Sequence, residues 1–456
     1  MRLCEYMESL RGKRVVVCGL GVSNLPLVRL LRGAGIAVEG RDRKTRDVLG
    51  CADEMDALGV PLVLGEGYLE GLQGDVIFRS PGMMPFLPAF ERAVADGAEL
   101  TSEMEVFFDV CPGHIIGVTG SDGKTTTTTL LHEMLKEAGL SAYVGGNIGA
   151  PLLDRAGEMC ESDYIVLELS SFQLMTMRKS PEIAVVTNVA PNHLDHHRSM
   201  DEYVEAKRNI FRYQGASDRV VLNLDNELTR GFGEGLSQER LWFSRTARVD
   251  EGVYFDGTAI FLREWGQIRE VLRREDILIP GLHNVENYMA AIAALAGIVP
   301  DGVFHAVARR FQGVAHRLEL IREFDGVRYY NDSIASSPTR TIAGLRSFSS
   351  KVILIAGGYD KNIPYAPLAE AIPAHVKALV LMGQTKRNIR EALFDVPGDH
   401  PPISEVMSLA EAVDAARQYA EPGDVVLFSP ASASFDMFKD FADRGDQFRA
   451  VVAGLK

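Results

Sequence analysis

Short apolar runs recur along the chain, each broken by a glycine- or serine-rich turn and followed by a stretch with helical spacing. That alternation predicts strands and helices in turn, and so a largely parallel sheet covered on both faces. The first unit is RVVVCGL at 14–20, a strand; LPLVRLLRGAG then reads as a helix, and IAVEGRD as a second strand ending near Asp42. DVIFR is a further strand, closed by Ser80, Pro81 and Gly82, and 102–111 reads as a helix. Pro112-Gly113 punctuates the pattern and marks a first domain boundary.

The next apolar run, Ile115 to Val118, predicts a buried strand that opens into Gly120, Ser121, Asp122 and Gly123. Lys124 and a threonine run then lead into a helix. After GGNIGAP come two more strands, YIVLELSSFQL and AVVTNV, and an amphipathic helix over 201–212, on which Lys207 reads as a surface residue. VVLNLDN is a strand; the region holding Trp242, Val253 to Phe255, Ala259 to Phe261 and Trp265 reads as β-hairpins at the side of the domain. Gly281 to Ile298 is a helix, and past GVAHRLEL the pattern restarts with VRYYNDS, KVILIAGGYDK, VKALVLMGQTKRNIREAL and GDVVLFSPASASFDMFKDF. The expected architecture is α/β in three domains: a Rossmann-like domain at 1–112, a central P-loop ATPase-like domain with a mostly parallel sheet at 113–313, and a second Rossmann-like domain at 314–456.

Composition narrows the function classes. With 456 residues the chain has room for three cores, and a net charge of -14 argues against a broad surface for nucleic acid or anionic membrane. Any anion must be held by a local site. The five cysteines, Cys4, Cys18, Cys51, Cys111 and Cys160, are odd in number and lack any CxxC pair, which suggests reduced thiols rather than disulfides or a zinc site. MRLCEYMESLRGK lacks the apolar core of a signal peptide, and no run of ~18 apolar residues occurs. A cytoplasmic protein with no nucleic-acid or membrane partner is the expectation.

Candidate chemistry concentrates after the strand 115–118. A glycine loop entering a helix can aim backbone N–H groups at a phosphate, with the helix dipole and Lys124 adding positive charge and Thr125 offering a hydroxyl to a phosphate-bound Mg2+. The general P-loop pattern asks for glycine at 118, where this chain has Val118. Glu168 ends the apolar run IVLE, where a carboxylate is costly unless it faces a cation. His193, with Asp195, His196 and His197, follows AVVTNV. HLDHH could suggest zinc, but beside a phosphate loop Mg2+ is the better assignment. In the first domain GLGVSN has Asn24 where a dinucleotide fold has its third glycine, which argues against NAD. Asn284 and Asn287 share the N-terminal face of their helix, where they could reach a base or phosphate or cap the helix. A hinge between domains would bring His316 and Arg317 beside the phosphate loop.

TGSDGKTTT, GGNIGAP, LELSSFQL, NVAPNHLDHH, EYVEAKRNIF, PGLHNVEN, AHRLE, NDS, GGYDK and SPASASFDMFKDFADRG, in this order along nearly the full length, resemble the Mur ligases of cell-wall precursor synthesis. LELSSFQL, GGNIGAP and SPASASFDMFKDF are most similar to the branch that adds D-glutamate to UDP-N-acetylmuramoyl-L-alanine. The resemblance implies an ATP- and Mg2+-dependent ligase, a monomer with two metal ions, that activates a carboxylate as an acyl phosphate. It implies ATP on Gly120, Ser121, Asp122, Gly123, Lys124, Thr125, Thr126, Asn284, Asn287, Arg317 and Asp332. Metal would lie at Thr125, Glu168, His193 and Lys207, the last matching the family's carbamylated lysine. Lys124, His193, Lys207 and Arg317 would carry catalysis. The UDP-sugar would lie on Val22, Ser23, Asp42, Arg43, Ser80, Pro81, Gly82, Asn147 and Gln173, and the amino acid on Ser336, Lys361, Ser434 and Phe441. The family often has NDSK where this chain has Asn331, Asp332, Ser333 and Ile334, so either another cation such as Arg340 compensates or the amino acid sits differently.

Overall fold

A computed structural model describes residues 1–190, 198–361 and 363–456. Three sheets carry the chain. The first orders β3-β2-β1-β4-β5, from β1 (Val15–Cys18), β2 (Val38–Asp42), β3 (Leu62–Leu64), β4 (Val76–Arg79) and β5 (Glu99–Thr101), all parallel. The apolar run of β1 is buried on both faces: Val15 and Val17 pack with Leu27 and Leu31, and Val16 and Cys18 with Ile77 and Phe90. That two-sided burial is why the strand reads as a continuous run rather than an alternation.

The second sheet contains β6 (His114–Thr119), β7 (Ala142–Gly146), β8 (Tyr164–Glu168), β9 (Ile183–Val186), β10 (Arg219–Asn223), β11 (Glu239–Ser244), β12 (Gly252–Phe255), β13 (Ala259–Glu264) and β14 (Gln267–Arg273). Its order is β14-β13-β12-β11-β10-β9-β6-β8-β7. β6 lies between β8 and β9, which makes its carboxyl end a topological switch point, where open α/β sheets bind ligands. The expected hairpins are present at the edge of the sheet, where β12 with β13 and β13 with β14 pair antiparallel; the strand holding Trp242, β11, instead pairs parallel with β10 and β12. Apolar patterning marks a strand but not its neighbour. Similarly, YIVLELSSFQL is a strand only to Glu168; Ser171–Leu174 is a helical turn, because Ser170 accepts from the Gln173 backbone N–H at 3.2 Å and starts a helix.

The third sheet orders β15-β16-β20-β17-β18-β19, from β15 (Glu319–Phe324), β16 (Val327–Asn331), β17 (Val352–Ala356), β18 (Val376–Leu381), β19 (Ile403–Glu405) and β20 (Val425–Phe428). All pairings are parallel except β15 with β16. Val352 and Leu354 pack on one face with Leu368 and Ile389, Ile353 and Ile355 on the other with Val413 and Phe448. The chain forms two compact units, Met1–Arg274 with Glu286–Val307, and Glu275–Val285 with Ala308–Lys456. Among the described residues no helix is long and apolar enough to cross a membrane.

Candidate active site

The phosphate loop leaves β6 at Thr119 and enters the helix Lys124–Glu137. Gly123 has φ +79, and a Cβ there would run into the Asn287 carboxamide, so the last residue before the helix must be glycine. The loop is held from β9's end: Ser121 N donates to Asn188 O at 2.9 Å and Asp122 N to Asn188 Oδ1 at 3.0 Å. The Thr187 hydroxyl donates to Asp122 O at 2.6 Å. Ser121 Oγ shares a 2.9 Å hydrogen bond with Tyr203 OH and donates to Ala190 O at 2.9 Å. Thr127 Oγ1 donates to Asn287 Oδ1 at 3.3 Å, so Asn287 backs the loop from behind. The first N–H groups of the helix have no intrahelical acceptor, which fits them to an anion.

Two lysines meet at one carbonyl. Lys124 Nζ donates to Gly120 O and Ser121 O, each at 3.0 Å, and Lys207 Nζ donates to Gly120 O at 2.7 Å. Lys207 is only 1% exposed, contrary to the surface position expected from its helix, Met200–Arg212. Its face is the buried one: Tyr203 and Phe211, four residues to either side, are core residues, and the amine lies 4.6 Å from the Tyr203 ring centroid. Burial first, and then the charge of Lys124, hold the Lys207 amine well below the ordinary lysine value, against the opposing pull of Asp122 and Glu168.

Glu168, 2% exposed at the end of β8, gathers two further site residues. Thr125 Oγ1 donates to its Oε2 at 2.7 Å, Asn147 Nδ2 to its Oε1 at 2.9 Å, and Asn147 N to its backbone carbonyl at 2.8 Å. Gln173 is close in sequence but committed locally, its Oε1 accepting from Ser170 N at 2.9 Å. His193, Asp195, His196 and His197 lie outside the described residues.

In the first sheet, Val22, Ser23, Asp42, Arg43 and Ser80 to Gly82 follow the carboxyl ends of adjacent strands. Asp42 Oδ2 accepts from Leu20 N at 2.7 Å and its Oδ1 from Lys44 N at 2.9 Å, joining two loops. Val22 is 78% exposed, an apolar side chain presented to solvent. Asn24 is buried and donates to Cys18 O at 3.2 Å and Gly19 O at 2.9 Å: the residue that breaks the dinucleotide glycine pattern locks the turn instead.

Within the second compact unit, Asp332 is buried at the end of β16 and accepts from Ser429 Oγ at 2.7 Å and Leu318 N at 3.3 Å. Burial pushes it up to about 7, against these bonds and the nearby Arg317. Arg317 follows His316 (φ 63) in a tight turn, and its Nε is buried with no hydrogen-bond partner among the described residues. Asn284 Nδ2 donates to Pro280 O at 2.5 Å, a local contact at its helix start. Ser333 Oγ donates to Phe441 O at 2.8 Å, Lys361 Nζ lies 5.8 Å from the Phe435 ring centroid, and Ser434 is buried. Ser336 N donates to Ile334 O at 2.8 Å, and Arg340 Nη1 reaches that same carbonyl at 3.3 Å.

Residues 118–295 match the Mur ligase middle domain, and 316–432 the Mur ligase glutamate ligase domain. Over its full length the chain is 50% identical to the UDP-N-acetylmuramoylalanine--D-glutamate ligase of Acetivibrio thermocellus, covering 100% of this chain and 99% of that protein. The chain belongs to the Mur ligase family.

A protein of the same description from Ruminiclostridium cellulolyticum is 48% identical, with 100% of this chain and 99% of that one covered. Among solved structures, the UDP-N-acetylmuramate-alanine ligase of Thermotoga maritima shares the fold at a TM-score of 0.61 and 18% identity, over 97% of this chain and 100% of that one. The protein is therefore an ATP- and Mg2+-dependent ligase that forms amide bonds in peptidoglycan precursor synthesis.

Two buried residues that hold these loops were passed over by sequence reasoning. Arg444, 1% exposed, donates through Nε to Ser333 Oγ at 2.9 Å, through Nη2 to Ser333 O at 2.7 Å, and through Nη1 to Ser432 O at 3.0 Å and Ala433 O at 2.9 Å. It ties the loop after β16 to the loop after β20; burial lowers it to about 10. Tyr203 holds the phosphate loop through Ser121 and also faces the Lys207 amine. Both stand in motif stretches, ADRG and EYVEAK, but nothing local marks them as buried. The donors around Thr125 are a hydroxyl, a carboxylate and a carboxamide, hard oxygen chemistry that fits Mg2+.

Proposed function

We propose that this Mur ligase joins D-glutamate to UDP-N-acetylmuramoyl-L-alanine through an acyl phosphate. The observation that carries the reading is the full-length identity of about half to relatives bearing that description, in a chain whose phosphate loop sits at the switch point of the central sheet. Neither a carboxylate nor an ammonium reacts readily in water near neutral pH, so the carboxylate is first phosphorylated by ATP and then attacked by the amine. The enzyme's share is positioning and charge stabilisation.

Gly120 to Thr126 bind the phosphates, and Lys124, now folded onto Gly120 O and Ser121 O, turns its ammonium to the β/γ-phosphates. Thr125 and Glu168, joined by their 2.7 Å bond, are the metal-side pair, with His193 and Lys207 as further members. When bound, Mg2+ neutralises phosphate charge and orients the transferred group. Lys207 takes part as a carbamate: its lowered amine value favours the neutral form, whose lone pair adds to CO2 with loss of a proton. Two metal ions and a monomer complete the proposal, with Asn284, Asn287, Arg317 and Asp332 assigned to the nucleotide.

Val22, Ser23, Asp42, Arg43, Ser80, Pro81, Gly82, Asn147 and Gln173 hold the UDP-sugar, while Ser336, Lys361, Ser434 and Phe441 hold the amino acid. Arg340, bonded to Ile334 O, supplies the cation that Ile334 lacks. Phosphate release is measured with ATP and UDP-N-acetylmuramoyl-L-alanine, with no amino acid, with D-glutamate and with L-glutamate. Release only with the D-isomer is expected. Exclusive use of the L-isomer overturns the specificity, and equal release with no amino acid overturns ligation.

A further inference from the structure

Arg79 ends β4, directly before Ser80, and is 1% exposed. A guanidinium so buried must find partners, and its partners come from two domains. Nη1 donates to Met83 O at 3.0 Å, on the far side of the Ser80–Gly82 turn. Nη2 donates to Phe172 O at 3.2 Å and to Thr176 Oγ1 at 2.7 Å, on either side of Gln173 in the central domain. The Glu105 carboxylate, which accepts from Ser102 Oγ at 2.7 Å, faces the same Thr176 hydroxyl. Glu105 attracts Arg79, so one charged relay links β4, the helix Glu103–Val110 and the turn after Leu174.

We propose that Arg79 is a positioning residue that holds the Ser80–Gly82 loop in register with the Ser171–Leu174 helix, and so sets the affinity for the uridine-nucleotide substrate. This rests on the reading above that Ser80–Gly82 and Gln173 bind that substrate. A loop and a helix from different domains contribute little affinity unless their separation is fixed beforehand, since each would otherwise be ordered at the expense of binding. Arg79 fixes it from within, without touching substrate. A second tether lies beyond the same loop, where the Arg198 guanidinium sits 3.7 Å from the Phe86 ring centroid. The planar fork matters, because a lysine can direct its amine to one side of the boundary but not satisfy both.

The test is steady-state kinetics on the full-length enzyme with Arg79→Met, Arg79→Lys, Thr176→Val and, as a control on the site itself, Gln173→Ala. Arg79→Met is expected to raise KM for UDP-N-acetylmuramoyl-L-alanine by about tenfold or more, with KM for ATP within about twofold of wild type, as expected for a lost charge-assisted bond. Thr176→Val, nearly isosteric, raises the same KM by a smaller factor, and Arg79→Lys falls between. A purely structural arginine would instead lower Tm and kcat through the folded fraction and leave KM unchanged; that pattern, or an equal rise in KM for ATP, overturns the proposal. If Arg79→Met does not fold, an unchanged KM in Thr176→Val overturns it. An unchanged KM in Gln173→Ala sinks the substrate-site reading and the proposal with it, whereas a raised KM there with silent Arg79 and Thr176 variants sinks only the proposal.

Discussion

The Thr125 hydroxyl donates a 2.7 Å hydrogen bond to Glu168, joining the first turn of the phosphate-loop helix to the end of a neighbouring strand. The two are 43 positions apart in the sequence. In the proposed site Glu168 thereby orients the hydroxyl assigned to a phosphate-bound cation. Glu168→Gln keeps the shape and removes the charge, so the Mg2+ concentration for half-maximal rate should rise by about ten- to a hundredfold at fixed ATP. A Mg2+ titration of initial rate checks this, and an unshifted curve refutes the assignment.

Lys207 carries a second prediction. Its amine is held low by burial and by Lys124, so the neutral fraction is larger than for a surface lysine and grows as pH rises. In CO2-depleted buffer near neutral pH, wild-type activity should be low and recover on adding bicarbonate. Lys207→Arg, which keeps its proton, should lose activity by ~100-fold or more and show no bicarbonate response. Wild-type activity indifferent to CO2 argues against the carbamate.

Gly123 and Asn287 test the loop's support. With φ +79 and the Asn287 carboxamide in the way, Gly123→Ala should cost at least ~1–2 kcal/mol of loop stability through the backbone alone, seen as weaker ATP binding by titration. Asn287→Ala makes room for the methyl but loses the bond from Thr127. The double variant should therefore bind ATP better than the sum of the single losses predicts. Strict additivity would show that the contact is not what excludes a side chain.

Glu103 gives a pH signature away from the chemistry. Burial pushes it up to about 7, against the hydrogen bond from Leu153 N at 3.2 Å. Between the unfolded value near ~4.3 and 7 the folded state holds the extra proton, so this group's contribution is fully present below that range and is lost as pH rises through it. Glu103→Gln, neutral throughout, should gain Tm relative to wild type at pH ~8 compared with pH ~5. A Tm difference that does not change with pH would show that Glu103 does not titrate in this range.

Much of this was legible beforehand because it is local. A buried strand, a glycine loop and a helix start are adjacent in sequence, so 115–131 announced its own geometry, and the same holds for the strand-turn units that end at Asp42, Ser80 and Asp332. Where the reading went astray the missing information was non-local. Lys207 looked like a solvated charge because its burial depends on β6 and on Tyr203 across the same helix face, and the strand holding Trp242 was grouped with the hairpins that follow it because its parallel pairing with β10 lies across an intervening helix.

By itself the sequence determined the alternation of strands and helices, the position of the phosphate loop and the resemblance that identifies the chemistry, since all of these are written in contiguous residues. Only the tertiary structure decided that two lysine amines converge on Gly120 O, that Glu168 gathers Thr125 and Asn147, that Asn287 closes the space beside Gly123, and that Arg79 at the end of β4 reaches the helix Ser171–Leu174. The reason is physical: the charge state and reach of a buried polar group are set by the solvent it has lost and by the partners brought to it, and both are delivered by distant parts of the chain.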